Sequence, residues 1–299
     1  MFCEFEDVSC VLPTGQRIAA HAMGKGPAVL LLHGFPQTKA MWAKVAPLLA
    51  QNFRVVVADL RGYGDSDKPK PTDNADNYSF RLMGQDMAAL MQGLGHTYFH
   101  LIGHDRGGRV AHRMALDYSA RITSLAVLDI VPTHALFNSF DRHVAKAYWH
   151  WFFLSQPAPF PQTMIEAAPD MFFETCLTGW GKAGLSVFDP AALADYRRAW
   201  RDKATIAAMC ADYRSAALVD ILDDEQSLQT KVTCPTLVYY GAEGVMAQHY
   251  DLGHVWSDYA TNITLQSEKG GHFFIDQYPH EVAQKLMHYL KQNESALPA

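Results

Sequence analysis

The chain of 299 residues is 49% hydrophobic and 19% charged, a composition that suits a soluble protein with a buried core and excludes a disordered chain. The net charge of −6 includes no run of Lys and Arg, so neither nucleic acid nor an anionic membrane surface is an expected partner, and no apolar stretch approaches the roughly 18 residues of a bilayer span. Five scattered cysteines form no C-x-x-C pair, and Glu4, Glu6 and Asp7 stand where a signal peptide would be basic, so a reducing, cytoplasmic location is expected.

Taken in chain order, residues 4–11 and 17–22 are predicted as two strands about a Pro13-Thr14-Gly15 turn. Residues 28–32 form the unbroken apolar run of a buried parallel strand. A helix over 39–50 and a strand over 54–58 follow, and a glycine-containing loop, 61–69, leads to a helix over about 79–93. A strand over 98–102 runs straight into Gly103-His104-Asp105-Arg106-Gly107 and a helix to about Tyr118. The next strand, 125–131, ends at Pro132; strands resume over 236–240 and 263–265, and a helix fills 278–291.

Alternating strands and helices imply an α/β fold with a mostly parallel central sheet covered by helices on both faces. Between 133 and 222 the strand pattern vanishes and the chain becomes helical and dense in Trp and Phe. The expected division is an α/β core of residues 1–132 and 223–299 with a helical cap, 133–222, inserted after the strand that ends at Pro132. Such a cap can close an apolar pocket at the carboxyl edge of the sheet. The plain alternative is a helical subdomain with its own aromatic core.

Gly103-His104-Asp105-Arg106-Gly107, between a strand and a helix, has the form of a nucleophile elbow, in which small flanking residues permit a strained turn that exposes the central side chain. An Asp before a helix can equally be an N-cap. His33-Gly34-Phe35-Pro36 follows a buried strand, as a loop donating an oxyanion-hole N–H would. His272 lies after the last strand, the place of a general base. Asp129, at the end of the strand after the elbow helix, or Glu243, in the loop after the next strand, could orient that base. The order nucleophile, acid, histidine is that of the α/β-hydrolase fold.

At these residues the sequence resembles the α/β-hydrolase superfamily. With His33-Gly34-Phe35-Pro36-Gln37, Asp59-Leu60-Arg61-Gly62-Tyr63-Gly64, Gly103 to Arg109 and Tyr148-Trp149-His150-Trp151, it resembles the fluoroacetate (haloacetate) dehalogenases from about residue 15 to 290. That resemblance implies Asp129 as the triad acid, His150, Trp151 and Tyr213 as a halide site, and a homodimer. It implies no cofactor or metal; the partner is a small 2-haloacid.

The chemistry agrees. A carboxylate that attacked an ester would form only an anhydride, so an Asp nucleophile suits an sp³ carbon bearing a leaving group. The resulting Asp105 ester is open to water activated by His272, with the N–H groups of Phe35 and Arg106 holding the oxyanion. Arg106 and Arg109, at i and i+3 in the first helical turn, oppose the helix dipole unless they bind an anion such as a substrate carboxylate, or pair with nearby acids. Arg113, a turn further on, is expected at the surface or an interface. The alternatives are an epoxide hydrolase, with a proton donor among Tyr148, Tyr196 and Tyr213, and a catalytically silent receptor on the same fold. Trp180 and His104 are expected in core packing and elbow support.

Overall fold

The computed structural model describes residues 1–180 and 183–294. Its main sheet has eight strands in the order β1 (Glu6–Asp7), β4 (Ala20–Met23), β6 (Arg54–Ala58), β5 (Ala28–Leu32), β7 (Phe99–His104), β8 (Ile122–Leu128), β9 (Thr236–Gly241) and β10 (Ile263–Glu268). β6 through β10 run parallel, and β4 and β1 are antiparallel at one edge. Every residue of β5, β7 and β8 is buried, as the apolar runs require when helices cover both faces. Among the described residues no strand lies between Leu128 and Thr236; helices fill most of that interval from Thr133 to Gln226. No described helix is long and apolar enough to cross a membrane.

Three expectations are corrected. The two N-terminal strands are each broken: β1 pairs with β4, while β2 (Cys10–Val11) and β3 (Arg17–Ile18) form a separate ribbon about the turn at Gly15. The helix over 39–50 is a 3₁₀ turn, Lys39–Trp42, and a short α-turn, Ala46–Leu49, that starts beside Pro47, which has no N–H to continue an upstream ladder. β8 ends at Leu128, not Val131, because Asp129 takes a left-handed conformation (φ 53°) that turns the chain out of the sheet.

The elbow rests on close backbone approach. Asp105 has φ 49° and ψ −116°, a conformation that a non-glycine residue holds only when its surroundings enforce it. A Cβ on Gly103 would lie 2.3 Å from the carbonyl oxygen of Gly107, and one on Gly107 would lie 2.3 Å from that of His33. The elbow helix, Arg106–Asp117, thereby sits against β7 and the loop after β5 at a distance only glycine permits. Gly103→Ala is predicted to destabilise the fold by about 2 kcal/mol or more, since the obstructing atom is backbone. Urea unfolding followed by circular dichroism measures it, with an exposed Gly93→Ala change, where a Cβ meets nothing, as the control.

Candidate active site

Asp105 projects from the elbow and is 3% exposed. Its Oδ1 accepts the backbone N–H of Phe35 at 2.8 Å, and its Oδ2 lies 3.7 Å from His272 Nε2. The loop after β5 therefore supplies one of the two expected donors directly. Burial alone would raise the carboxyl's pKa, but the fields of His272, Arg106 and Arg109 outweigh it and hold Asp105 below the usual aspartate value.

His272 Nδ1 donates to Asp129 Oδ2 at 2.7 Å, which leaves Nε2 turned toward Asp105 without a hydrogen-bond partner. Asp129 is fixed in turn by the N–H of Gly241, 3.1 Å from its Oδ1. Burial pushes the imidazole down, and the hydrogen bond and charge of Asp129 more than restore it, so His272 titrates above the ordinary histidine value. His104 Nε2 donates to the backbone carbonyl of His272 at 2.9 Å, and burial depresses its pKa to about 4. It is a neutral strut between the elbow and the His272 loop. Glu243 is exposed and only its backbone N–H engages the loop, on the carbonyl of Gly270; Asp129 is the acid that meets His272.

The arginines take different surroundings. Arg106 is fully buried and grips Asp212 through Nε and Nη2, leaving Nη1 unpartnered. Phe80, Trp151 and Tyr213 pack around its guanidinium, with ring centroids 4.6, 5.0 and 4.2 Å away. Arg109 donates Nη1 to the carbonyl of Val131 and to Thr133 Oγ1, and its Nε is unpartnered. Among the described residues no carboxylate forms an ion pair with Arg109; burial and the neighbouring Arg106 lower its pKa to about 10, so it remains a cation at neutral pH. Arg113 departs from expectation. It is 5% exposed and pairs with Asp117 at 2.7 Å and Ser227 at 3.0 Å, because the Ile221–Gln226 helix and the turn after it cover that side of the elbow helix.

His150 and Tyr213 pack on the ring of Phe35 and Trp151 packs on Tyr213, all three buried. Phe35 stacks on His150 at 5.7 Å and meets Tyr213 edge-on at 5.1 Å. His150 Nδ1, Trp151 Nε1 and the Tyr213 hydroxyl have no hydrogen-bond partner. Burial drives His150 well below the usual histidine pKa and Tyr213 well above the usual tyrosine one, so both are neutral. Buried polar groups are normally paired. Six unpaired ones (Arg106 Nη1, Arg109 Nε, His150 Nδ1, Trp151 Nε1, the Tyr213 hydroxyl and His272 Nε2) therefore mark this cluster as a candidate binding site.

The model for the alpha/beta hydrolase fold matches residues 27–279. This chain belongs to that family. It is 51% identical over 274 residues to the fluoroacetate dehalogenase of a Burkholderia species, covering 92% of this chain and 90% of the relative. It is 29% identical to the soluble epoxide hydrolase of Corynebacterium sp. (strain C12), over 90% and 91% of the two chains. The crystal structure of a Nostoc sp PCC 7120 protein assigned to the alpha/beta hydrolases superposes with a TM-score of 0.94 at 45% identity, covering 97% of this chain and 99% of that one.

The fold brings Phe35, Asp105, Arg106, Arg109, Asp129, His150, Trp151, Tyr213 and His272 into one buried cluster and leaves Glu243 outside it. Asp212 and Tyr63, whose hydroxyl donates to Asp212 Oδ2 at 2.6 Å, join that cluster without having been legible in the sequence, and Trp180 lies closer to it than core packing alone implied. That indole packs 4.2 Å from His150 and 5.5 Å from His272 while its Nε1 donates to the carbonyl of Ala147. Asp212 sits next to Tyr213 in a helix that buries Thr205, Arg214 and Ser215 as well, so no local pattern marks it out. The raised His272 pKa has a definite sign: Asp129 is its largest raising cause and Asp105 adds to it, so Asp129→Asn should lower the imidazole from its raised position. NMR titration of the His272 ring in the parent and in Asp129→Asn measures both positions.

Proposed function

We propose that this chain is a hydrolytic dehalogenase of short 2-haloacids, releasing halide and glycolate from fluoroacetate or chloroacetate, with Asp105 as nucleophile. The supporting observation is the pairing of a buried, ionised Asp105 with an uncompensated Arg109 and three neutral unpaired polar groups. That combination suits a substrate with a carboxylate at one end and a halogen at the other. The likeness to a fluoroacetate dehalogenase over nine-tenths of the chain supports the same reading.

In this mechanism Arg109 and Nη1 of Arg106 bind the substrate carboxylate and set the halogen-bearing carbon beside Asp105 Oδ2, the oxygen that Phe35 leaves free. Oδ2 forms a bond to that carbon as the carbon–halogen bond breaks from the opposite face, and the halide departs with the bonding pair. His150, Trp151 and Tyr213 stabilise it as it forms. Water then attacks the ester carbonyl. His272 Nε2 takes the water's proton, Asp129 steadies the imidazolium, and the N–H groups of Phe35 and Arg106 hold the oxyanion. Collapse expels the glycolate oxygen, which takes the proton held by His272, and the new Asp105 carboxyl loses its own proton to solvent to regenerate the carboxylate.

Residues 133–222 act as a cap over a core of 1–132 and 223–299, because Asp212, Tyr213, His150 and Trp151 all come from the inserted helices. A cytoplasmic homodimer belongs to the same reading. The resemblance supports the dimer and five free thiols support the reducing compartment; of the cap and core bounds, Gly181, Lys182 and residues 295–299 lie outside the described residues.

Epoxide opening is less well supported. It requires a proton donor to the alkoxide, and burial beside Asp105 holds the Tyr213 proton tightly. Burial likewise raises Tyr148 and Tyr196 well above the usual tyrosine value.

Incubation with fluoroacetate and with chloroacetate, followed by ion chromatography of free halide, tests the proposal. Release from either supports it, and Asp105→Asn should lower the rate by at least about 10³-fold. Release of neither halide, with turnover of a small epoxide, would overturn it.

A further inference from the structure

The Arg106–Asp212 pair poses an electrostatic question that the proposed reaction leaves open. A site meant to attract a carboxylate has spent one of its two cations on a built-in carboxylate. Asp212 is wholly buried, and its negative charge must oppose an anionic substrate. Its geometry explains its presence. Asp212 takes Arg106 Nε at 2.9 Å on Oδ2 and Nη2 on Oδ1, and its backbone carbonyl takes Nη2 again at 2.9 Å. Those contacts use every N–H on one edge of the guanidinium and leave Nη1 as its free corner. Tyr63, in the loop after β6, locks the carboxylate from the other side with its hydroxyl, 2.6 Å from Oδ2. Tyr63 is itself fully buried and packs edge-on against His33 at 5.1 Å.

These contacts also join the two parts of the chain. Arg106 opens the elbow helix and Tyr63 lies in a core loop, whereas Asp212 belongs to the helix Lys203–Ser215 of the inserted segment. Tyr213, the next residue on that helix, carries a free hydroxyl into the same pocket. One helical turn therefore contributes both the anchor of the carboxylate end and a donor for the halide end.

We propose that Asp212, held by Tyr63, is a positioning residue for carboxylate recognition. It orients Arg106 so that only Nη1 faces the substrate, and it makes that orientation depend on the docking of the Lys203–Ser215 helix. Arg109 supplies a guanidinium that no carboxylate among the described residues pairs with directly, and Arg106 supplies a fixed direction. The inference rests on the dehalogenase reading for its substrate, but not for its measurement, which is the binding of acetate as the halogen-free carboxylate.

Two accounts of Asp212 predict opposite signs. If the residue acted only through its charge, Asp212→Asn would tighten acetate binding. If it positions Arg106, the same change weakens it. Acetate affinity by isothermal titration calorimetry, with kcat and KM for chloroacetate, should show a loss of about tenfold or more in affinity and a matching rise in KM for Asp212→Asn. Tyr63→Phe, which keeps the ring packed on His33 and removes one hydroxyl, should act in the same direction by about threefold or more, with kcat the less affected parameter. This second variant decides the matter if Asp212→Asn does not fold. Affinity unchanged or tighter in the folded variants, or a loss confined to kcat, would overturn the proposal. A parent that binds acetate but releases no halide would overturn the dehalogenase reading alone, with the variant-to-parent affinity ratio still deciding the role of Asp212. A parent that binds no acetate would overturn both.

Discussion

The site depends on keeping one buried carboxylate charged. Taking an ion of that size out of water costs several kcal/mol even after the protein relaxes, and the proposed mechanism needs Asp105 ionised. The structure meets the cost with positive fields and one hydrogen bond: the N–H of Phe35 at 2.8 Å, His272 at 3.7 Å, and the nearby Arg106 and Arg109. Each of these is delivered by a different piece of backbone. The loop after β5, the loop after β10 and the elbow helix converge on the left-handed turn at Asp105, and glycines at 103 and 107 allow the approach. The strain at the elbow and the electrostatics of the nucleophile are thus one design, since relaxing the turn would carry Asp105 away from the groups that keep it ionised.

Around that carboxylate, burial assigns protonation states that suit halide displacement. His150 is driven neutral, so it carries no positive charge that would bind halide too tightly and brings ring nitrogens instead. Tyr213 is kept as a phenol that can hydrogen-bond to a leaving anion without surrendering its proton. Among the described residues no carboxylate forms an ion pair with Arg109, whose field acts on Asp105 instead. On the proposed mechanism that guanidinium is the partner of the substrate carboxylate.

The elements that sequence periodicity located well are those whose fate is decided locally. β5 and β6 were legible residue by residue, because an unbroken apolar run bounded by turn residues has no other stable use in an α/β chain. The elbow was legible because Gly at 103 and 107 around an acid serves a steric purpose. Asp129 could be placed after its strand, but the choice over Glu243 needed the hydrogen bond that spans 143 positions to His272. Asp212 was illegible for the same reason: its partner is 106 residues upstream, and an acid in a helix reads as a solvated face until the fold buries it. Arg113 failed likewise, as an apparent surface residue that the chain from Ile221 to Ser227 covers. Long-range ion pairs leave no periodic trace in a sequence, and in this molecule they connect the inserted helices to the core.

The central claim, that Asp105 becomes covalently attached to the substrate, is open to direct observation. His272→Asn removes the base that activates water and leaves the nucleophile and its anion-binding groups in place. Intact-protein and peptide mass spectrometry after incubation with chloroacetate should then find a carboxymethyl ester accumulating on Asp105, at up to one per chain. An unmodified Asp105 in that variant, under conditions where the parent releases chloride, would contradict the account.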